Sequence, residues 1–159
     1  MKKILLTAAL LLSLGSCSKN EYKTYDGPFF FYFDLSKSST ITINEAGTMN
    51  AEYYVHYTGP QASRTNIVSF SVTPGDGLVE GVDFTVTTAG GALNFMPGFT
   101  DLPIRIKWLP HDIDPSKNNT VTIRLENVDD DSFVLGLPGP DNSNYSKSLR
   151  QIIISKYQN

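Results

Sequence analysis

A chain of 159 residues is one domain's worth of length, and with 40% apolar, 11% aromatic and 18% charged side chains it is too aromatic and too weakly charged for a disordered polypeptide. Its 13 basic and 16 acidic side chains leave a net charge of −3, which argues against a nucleic-acid partner. One cysteine excludes a disulfide framework and a multi-cysteine zinc site, and two histidines, His56 and His111, leave little material for a histidine metal centre.

The chain opens on an export signal, predicted over residues 1–16. Lys2 and Lys3 precede the apolar stretch from Ile4 to Leu14, which falls well short of the roughly 20 residues a membrane helix needs. The run Leu14-Gly15-Ser16-Cys17 resembles the lipobox of bacterial lipoproteins. The resemblance implies cleavage before Cys17 and acylation of that cysteine, and two acyl chains suffice for stable anchoring. The alternative is an ordinary signal peptide with an incidental cysteine. Residues 17–27 are polar and without periodicity, and are predicted to form a flexible tether. Ser18 after the cysteine, in place of aspartate, resembles lipoproteins sorted to the outer membrane; whether the domain faces the periplasm or the outside stays open.

From Pro28 to Asn159 the pattern is that of strands. Phe29 to Phe33 is a short aromatic run. Ile41 and Ile43 alternate with Thr40 and Thr42, Tyr53, Val55 and Tyr57 with Glu52, Tyr54 and His56, and Val68, Phe70 and Val72 with Ser69 and Ser71. Phe84 to Val86 and Leu93 to Phe95 flank Gly90-Gly91, which suggests a hairpin. Ile104, Ile106 and Trp108 share one face, as do Val121, Ile123 and Leu125; a last strand is expected over 149–156. Pro74-Gly75-Asp76-Gly77, Pro97-Gly98, and polar loops over 110–119 and 136–146 separate these segments. No helical period is found, so crossover connections are not expected, and the prediction is an all-β, antiparallel, immunoglobulin-like Greek-key sandwich of about seven to nine strands over 28–159.

Several short motifs occur in a familiar order: Ile43-Asn44-Glu45-Ala46-Gly47, then Glu80-Gly81-Val82-Asp83-Phe84, Ala92-Leu93-Asn94-Phe95 with Pro97-Gly98, the strand to Trp108, Asp112, Val121 to Leu125, Asn127 and Gly136. This order resembles a Calx-beta domain over roughly Ile41 to Ser155, and with the lipobox the chain is most similar to Calx-beta-like lipoproteins of Bacteroidota. Some Calx-beta domains bind calcium through acidic loops at one end. The resemblance puts Glu45, Asp83 and Asp112 on acidic ligand positions, but Ser116 and Asn119 stand where the calcium-binding members carry glutamates. The chain ends at Lys156-Tyr157-Gln158-Asn159 without an acidic cluster. Three scattered carboxylates hold calcium weakly at best, and no metal or other cofactor is expected. An EF-hand reading of Asp112, Asp114 and Ser116 fails, because Lys117 and Ile123 occupy the positions of the required glycine and glutamate. Asp129-Asp130-Asp131 reads as a solvated turn.

No catalytic set emerges. Cys17 is committed to lipid, His56 falls in an outward strand register, His111 in a loop, and no glycine-flanked nucleophile or phosphate cradle is present. Outward Tyr54 and the Phe29 to Phe33 run could offer aromatic faces to sugars, whereas Trp108, Tyr53 and Tyr57 read as core, and Phe30 and Tyr32 as buried on a central strand. The expectation is therefore a non-enzymatic, outer-membrane lipid-anchored binding or adhesion module. Its partners would be the membrane, through lipid on Cys17, and a glycan or envelope protein. Glycan capture beside an uptake system and a structural subunit of an envelope assembly are the alternatives.

Overall fold

The computed structural model describes residues 29–33, 40–43, 47–60, 62–136 and 147–158. Its strands are β1 (Phe29–Phe33), β2 (Thr40–Ile43), β3 (Met49–Thr58), β4 (Asn66–Pro74), β5 (Phe84–Val86), β6 (Ala92–Phe95), β7 (Asp101–Trp108), β8 (Thr120–Val128), β9 (Phe133–Leu135) and β10 (Gln151–Gln158). They form two five-stranded sheets, ordered β5-β7-β3-β1-β9 and β2-β10-β8-β4-β6.

The period-two pattern sets which side chains meet between the sheets. Phe31, Phe33, Val55, Phe84, Ile104, Ile106 and Trp108 line the inner face of the first sheet, and Val68, Phe70, Leu93, Phe95, Val121, Ile123, Leu125 and Ile154 that of the second; all are buried in one cluster. Each fully buried side chain of this size contributes about 1.5–3 kcal/mol. Trp108 is fully buried, and its indole N–H donates to the Tyr53 hydroxyl at 3.1 Å, which satisfies a donor that burial would otherwise strand. Burial pushes the Tyr53 phenol up to about 12, against the smaller opposing effect of the Trp108 hydrogen bond. Tyr57 is half-buried on the same inner face. On β1, Phe30 is buried and Tyr32 half-buried although both lie in the outward register.

The all-β sandwich is the predicted class, with four differences in detail. Ten strands are described, because Phe133–Leu135 forms β9; three residues are too few to show alternation. Gly90-Gly91 does not close a hairpin. β5 pairs with β7 in one sheet and β6 with β4 in the other, so the tight turn Ala89–Gly91, with φ of 76° and 63° at the two glycines, carries the chain from sheet to sheet. The pairing is not wholly antiparallel: β1 runs parallel to β9 and β2 to β10. Parallel partners need a long connection, and here the intervening strands of the sandwich supply it in place of a helix. Finally, one helical turn, Lys147–Arg150, precedes β10, so the last strand starts two residues later than expected.

Loop positions follow from the strand ends. The turn at Gly75 lies against the β7–β8 loop: its N–H donates to the Thr120 carbonyl at 2.7 Å, and a Cβ there would overlap the Asn118 carbonyl oxygen. The β10 backbone joins the same end, Lys156 N–H donating to Asn119 at 2.9 Å. At the opposite end, the β3–β4, β6–β7 and β8–β9 connections converge, tied by Tyr57 N–H to Thr100 and by Asp129 N–H to Ile67.

Candidate functional site

The first end contains the acidic positions suggested by sequence. Lys156 continues the inward register of Ile152 and Ile154, so its side chain enters the sandwich instead of solvent. Its Nζ donates to Asp83 Oδ1 at 2.8 Å, with both side chains only 2% exposed, and to the His111 carbonyl at 3.2 Å. The Val79 N–H donates to Asp83 Oδ2 at 2.9 Å, and His111 Nδ1 lies 3.0 Å from Oδ1. Burial alone would raise the Asp83 pKa, but the hydrogen bonds from Lys156 and Val79, the Lys156 charge and the His111 contact together hold it below the usual carboxylate value.

These residues do not fit calcium. Both Asp83 oxygens are engaged, and an ammonium group sits where a second cation would have to enter. Asp112 lies exposed on the neighbouring loop, Glu45 lies outside the described residues, and among the described residues no group of three His, Cys, Asp or Glu side chains is placed to hold a metal. Cys17, the predicted lipid attachment, also lies outside the described residues. His56 is held through Nδ1 by the Asp101 carboxylate and its ring packs on Tyr32, with centroids 5.6 Å apart. Its Nε2 is buried without a hydrogen-bond partner, so no hydroxyl or thiol among the described residues stands where a nucleophile would.

The second end carries a cleft of about 210 Å³. Its floor is aromatic: Phe29 and Phe133 rings are 5.5 Å apart at 50°, and Tyr57 and Phe133 are 6.0 Å apart at 49°. Tyr57 donates its hydroxyl proton to the Pro60 carbonyl at 2.6 Å, which fixes the ring against the rim. One wall is the pair Arg64–Asp130, with Nη2 2.7 Å from Oδ2. Asp130 is oriented in turn by the Ser132 hydroxyl at 2.6 Å and the Ser132 N–H at 2.9 Å. The Ser132 hydroxyl first, then Arg64, then the Ser132 N–H, lower its pKa to about 2.

Asn66 lines the same cleft. It opens β4 in the inward register of Val68 and Phe70, where an apolar residue would be expected, and is 1% exposed. Its Oδ1 is buried and accepts no hydrogen bond. An unpaired buried polar atom costs about 1–3 kcal/mol, and this one is closed to solvent. Sequence reading missed this site. Asn66 lay just outside the alternating run beginning at Val68, and Asp129-Asp130-Asp131 read as solvated although Asp129 accepts from the Ile67 N–H and Asp130 holds Arg64. The one signal was a polar residue two positions before Val68, in phase with the core face.

No protein-family model matches the chain, and no curated protein does. A solved structure described as CBD12 from CALX1.2 is similar with a TM-score of 0.53 and 20% identity over 82% of this chain. The fold is Calx-beta-like. The matched region spans 44% of that solved chain, and at this identity the likeness concerns the fold alone.

Proposed function

We propose that this protein is a lipid-anchored module of the cell envelope that binds a ligand in the cleft at the β1 end of its Calx-beta-like sandwich, without changing it chemically. The observation that carries the binding reading is the cleft of about 210 Å³ with a floor of Phe29, Tyr57 and Phe133 and a polar wall of Arg64 and Asp130. The anchor reading rests on the lipobox-like run ending at Cys17 and on Ser18, which favours the outer membrane. Phe29 both opens β1 and lines the cleft. The edge strands β2, β5, β6 and β9 are three or four residues long, which disfavours assembly by strand addition and so the structural-subunit alternative.

Fractionation of cells producing Cys17→Ala tests the anchor. The parent should enter the detergent phase with the membranes, while the variant should stay in the aqueous phase or persist as uncut precursor. A variant partitioning like its parent would remove the anchor from this reading.

A further inference from the structure

We propose that the β1 end of the domain docks on the bilayer that holds the anchor, with the turn from Met96 to Thr100 inserted at the headgroup boundary. This rests on the anchor reading and names the surface on which the anchored domain sits.

The turn joining β6 to β7 is Met96-Pro97-Gly98-Phe99-Thr100, five consecutive exposed residues with no charge among them. Met96 and Phe99 are large apolar side chains left in solvent, and Ile67 is a third. Ile67 pairs with Asn94 on β6, two positions before Met96 in the same outward register. Apolar side chains grouped in this way mark an interaction surface. The turn is already formed. Phe99 N–H donates to the Met96 carbonyl at 3.0 Å, Gly98 takes a φ of 90°, and Tyr57 N–H donates to the Thr100 carbonyl at 2.7 Å. Docking therefore loses little backbone entropy.

Exposed apolar side chains also occur at the other end, at Val79, Val82 and Tyr157. Chain length separates the two ends. Eleven residues lie between Cys17 and Phe29, so these two positions are at most about 40 Å apart. Phe30 pairs with Thr58 and His56 with Asp101, so β1 starts at the end that carries Met96 to Thr100. From there the ten residues of β3 alone run roughly 33 Å toward the other end. Inverting the domain would use nearly all of the reach, whereas the β1 end meets the surface with length to spare. Glu80, exposed between Val79 and Val82, further opposes entry of that loop into lipid. Tethering makes contact with the surface intramolecular, so two or three apolar side chains suffice to hold the domain down. Asp129, Asp130 and Asp131 stand at the β1 end, so the lipid that fits it is zwitterionic, not anionic.

The test is tryptophan quenching on the full acylated chain, reconstituted into phosphatidylcholine vesicles with or without brominated acyl chains. Phe99→Trp puts a reporter in the turn and Val79→Trp puts one at the other end. The parent, whose single tryptophan Trp108 is fully buried, gives the background. Above that background, brominated lipid should quench Phe99→Trp by about half or more and leave Val79→Trp nearly unchanged. Adding Met96→Glu to the Phe99→Trp chain should reduce the quenching about threefold, because a carboxylate resists insertion. Met96→Trp gives the same reading should Phe99→Trp fold poorly. Co-sedimentation of every sample with the vesicles reports the anchor separately. A chain that co-sediments while Phe99→Trp is unquenched, or quenched no more than Val79→Trp, overturns the docking and leaves the anchor standing. A parent that stays in the supernatant overturns both. A blue shift of the Phe99→Trp emission without quenching makes a second copy of the chain the occupant and likewise overturns the proposal.

Discussion

Asp83 and Lys156 show how one residue changes the meaning of a motif. An acidic side chain at the loop end of such a sandwich suggests a cation, and the cation is supplied by the chain itself. Removing one partner of a buried pair strands the other's charge, so Lys156→Met should cost about 3–5 kcal/mol in urea unfolding. The double variant Asp83→Leu/Lys156→Met should recover most of that loss, because no buried charge remains. The pH dependence has a definite sign. Asp83 has a folded-state pKa below its unfolded value, so its contribution is complete above the unfolded value near 3.9 and is lost as pH falls through the folded one. The parent should therefore lose stability below about pH 4, and the double variant should show a shallower acid limb there. An equal acid limb in both would show that the pair is not the group being titrated.

At the scale of elements, alternation gives opposite expectations for side chains on paired strands. Ile123 on β8 is fully buried, and Ile123→Ala should cost about 2–5 kcal/mol. Ile153 on β10 pairs with Thr122, faces outward and is 47% exposed; Ile153→Ala should change stability by no more than about 0.5 kcal/mol. Chemical denaturation of the two variants checks the register directly, since a one-residue slip of β10 would make Ile153 the costly position. Long strands with a wet face, such as β7 and β8, were legible because the period repeats over many residues. β9 was not, and Gly90-Gly91 signalled a tight turn correctly while leaving open which sheet receives the next strand. Turn residues specify local φ and ψ, whereas sheet membership depends on which distant partner has a free edge.

For the whole molecule, cohesion comes from the two inner faces, with no described metal cluster and no second cysteine to form an internal disulfide. Calcium should accordingly leave the melting temperature unchanged between millimolar excess and chelator. A ligand at 100 times its dissociation constant would add about 2.7 kcal/mol, a shift readily seen by calorimetry. A rise of several degrees in calcium would place a site elsewhere on the domain. The two ends of the sandwich thus differ in character. One is closed by an internal ion pair, and the other presents a cleft with an aromatic floor.

The sequence by itself determined the all-β class, most strand positions and the core face, because these depend on local alternation and on turn residues within a few positions of each strand. It also carried a stretch that reads as an export signal and a lipobox-like run, both proposals drawn from linear motifs. Only the tertiary structure decided that Lys156 reaches Asp83, that Gly90-Gly91 switches sheets, and that Asn66, Arg64, Asp130 and the rings of Phe29, Tyr57 and Phe133 share one cleft. Those residues are separated by many positions in the chain, and their meeting depends on how ten strands are ordered in two sheets, which no local period encodes.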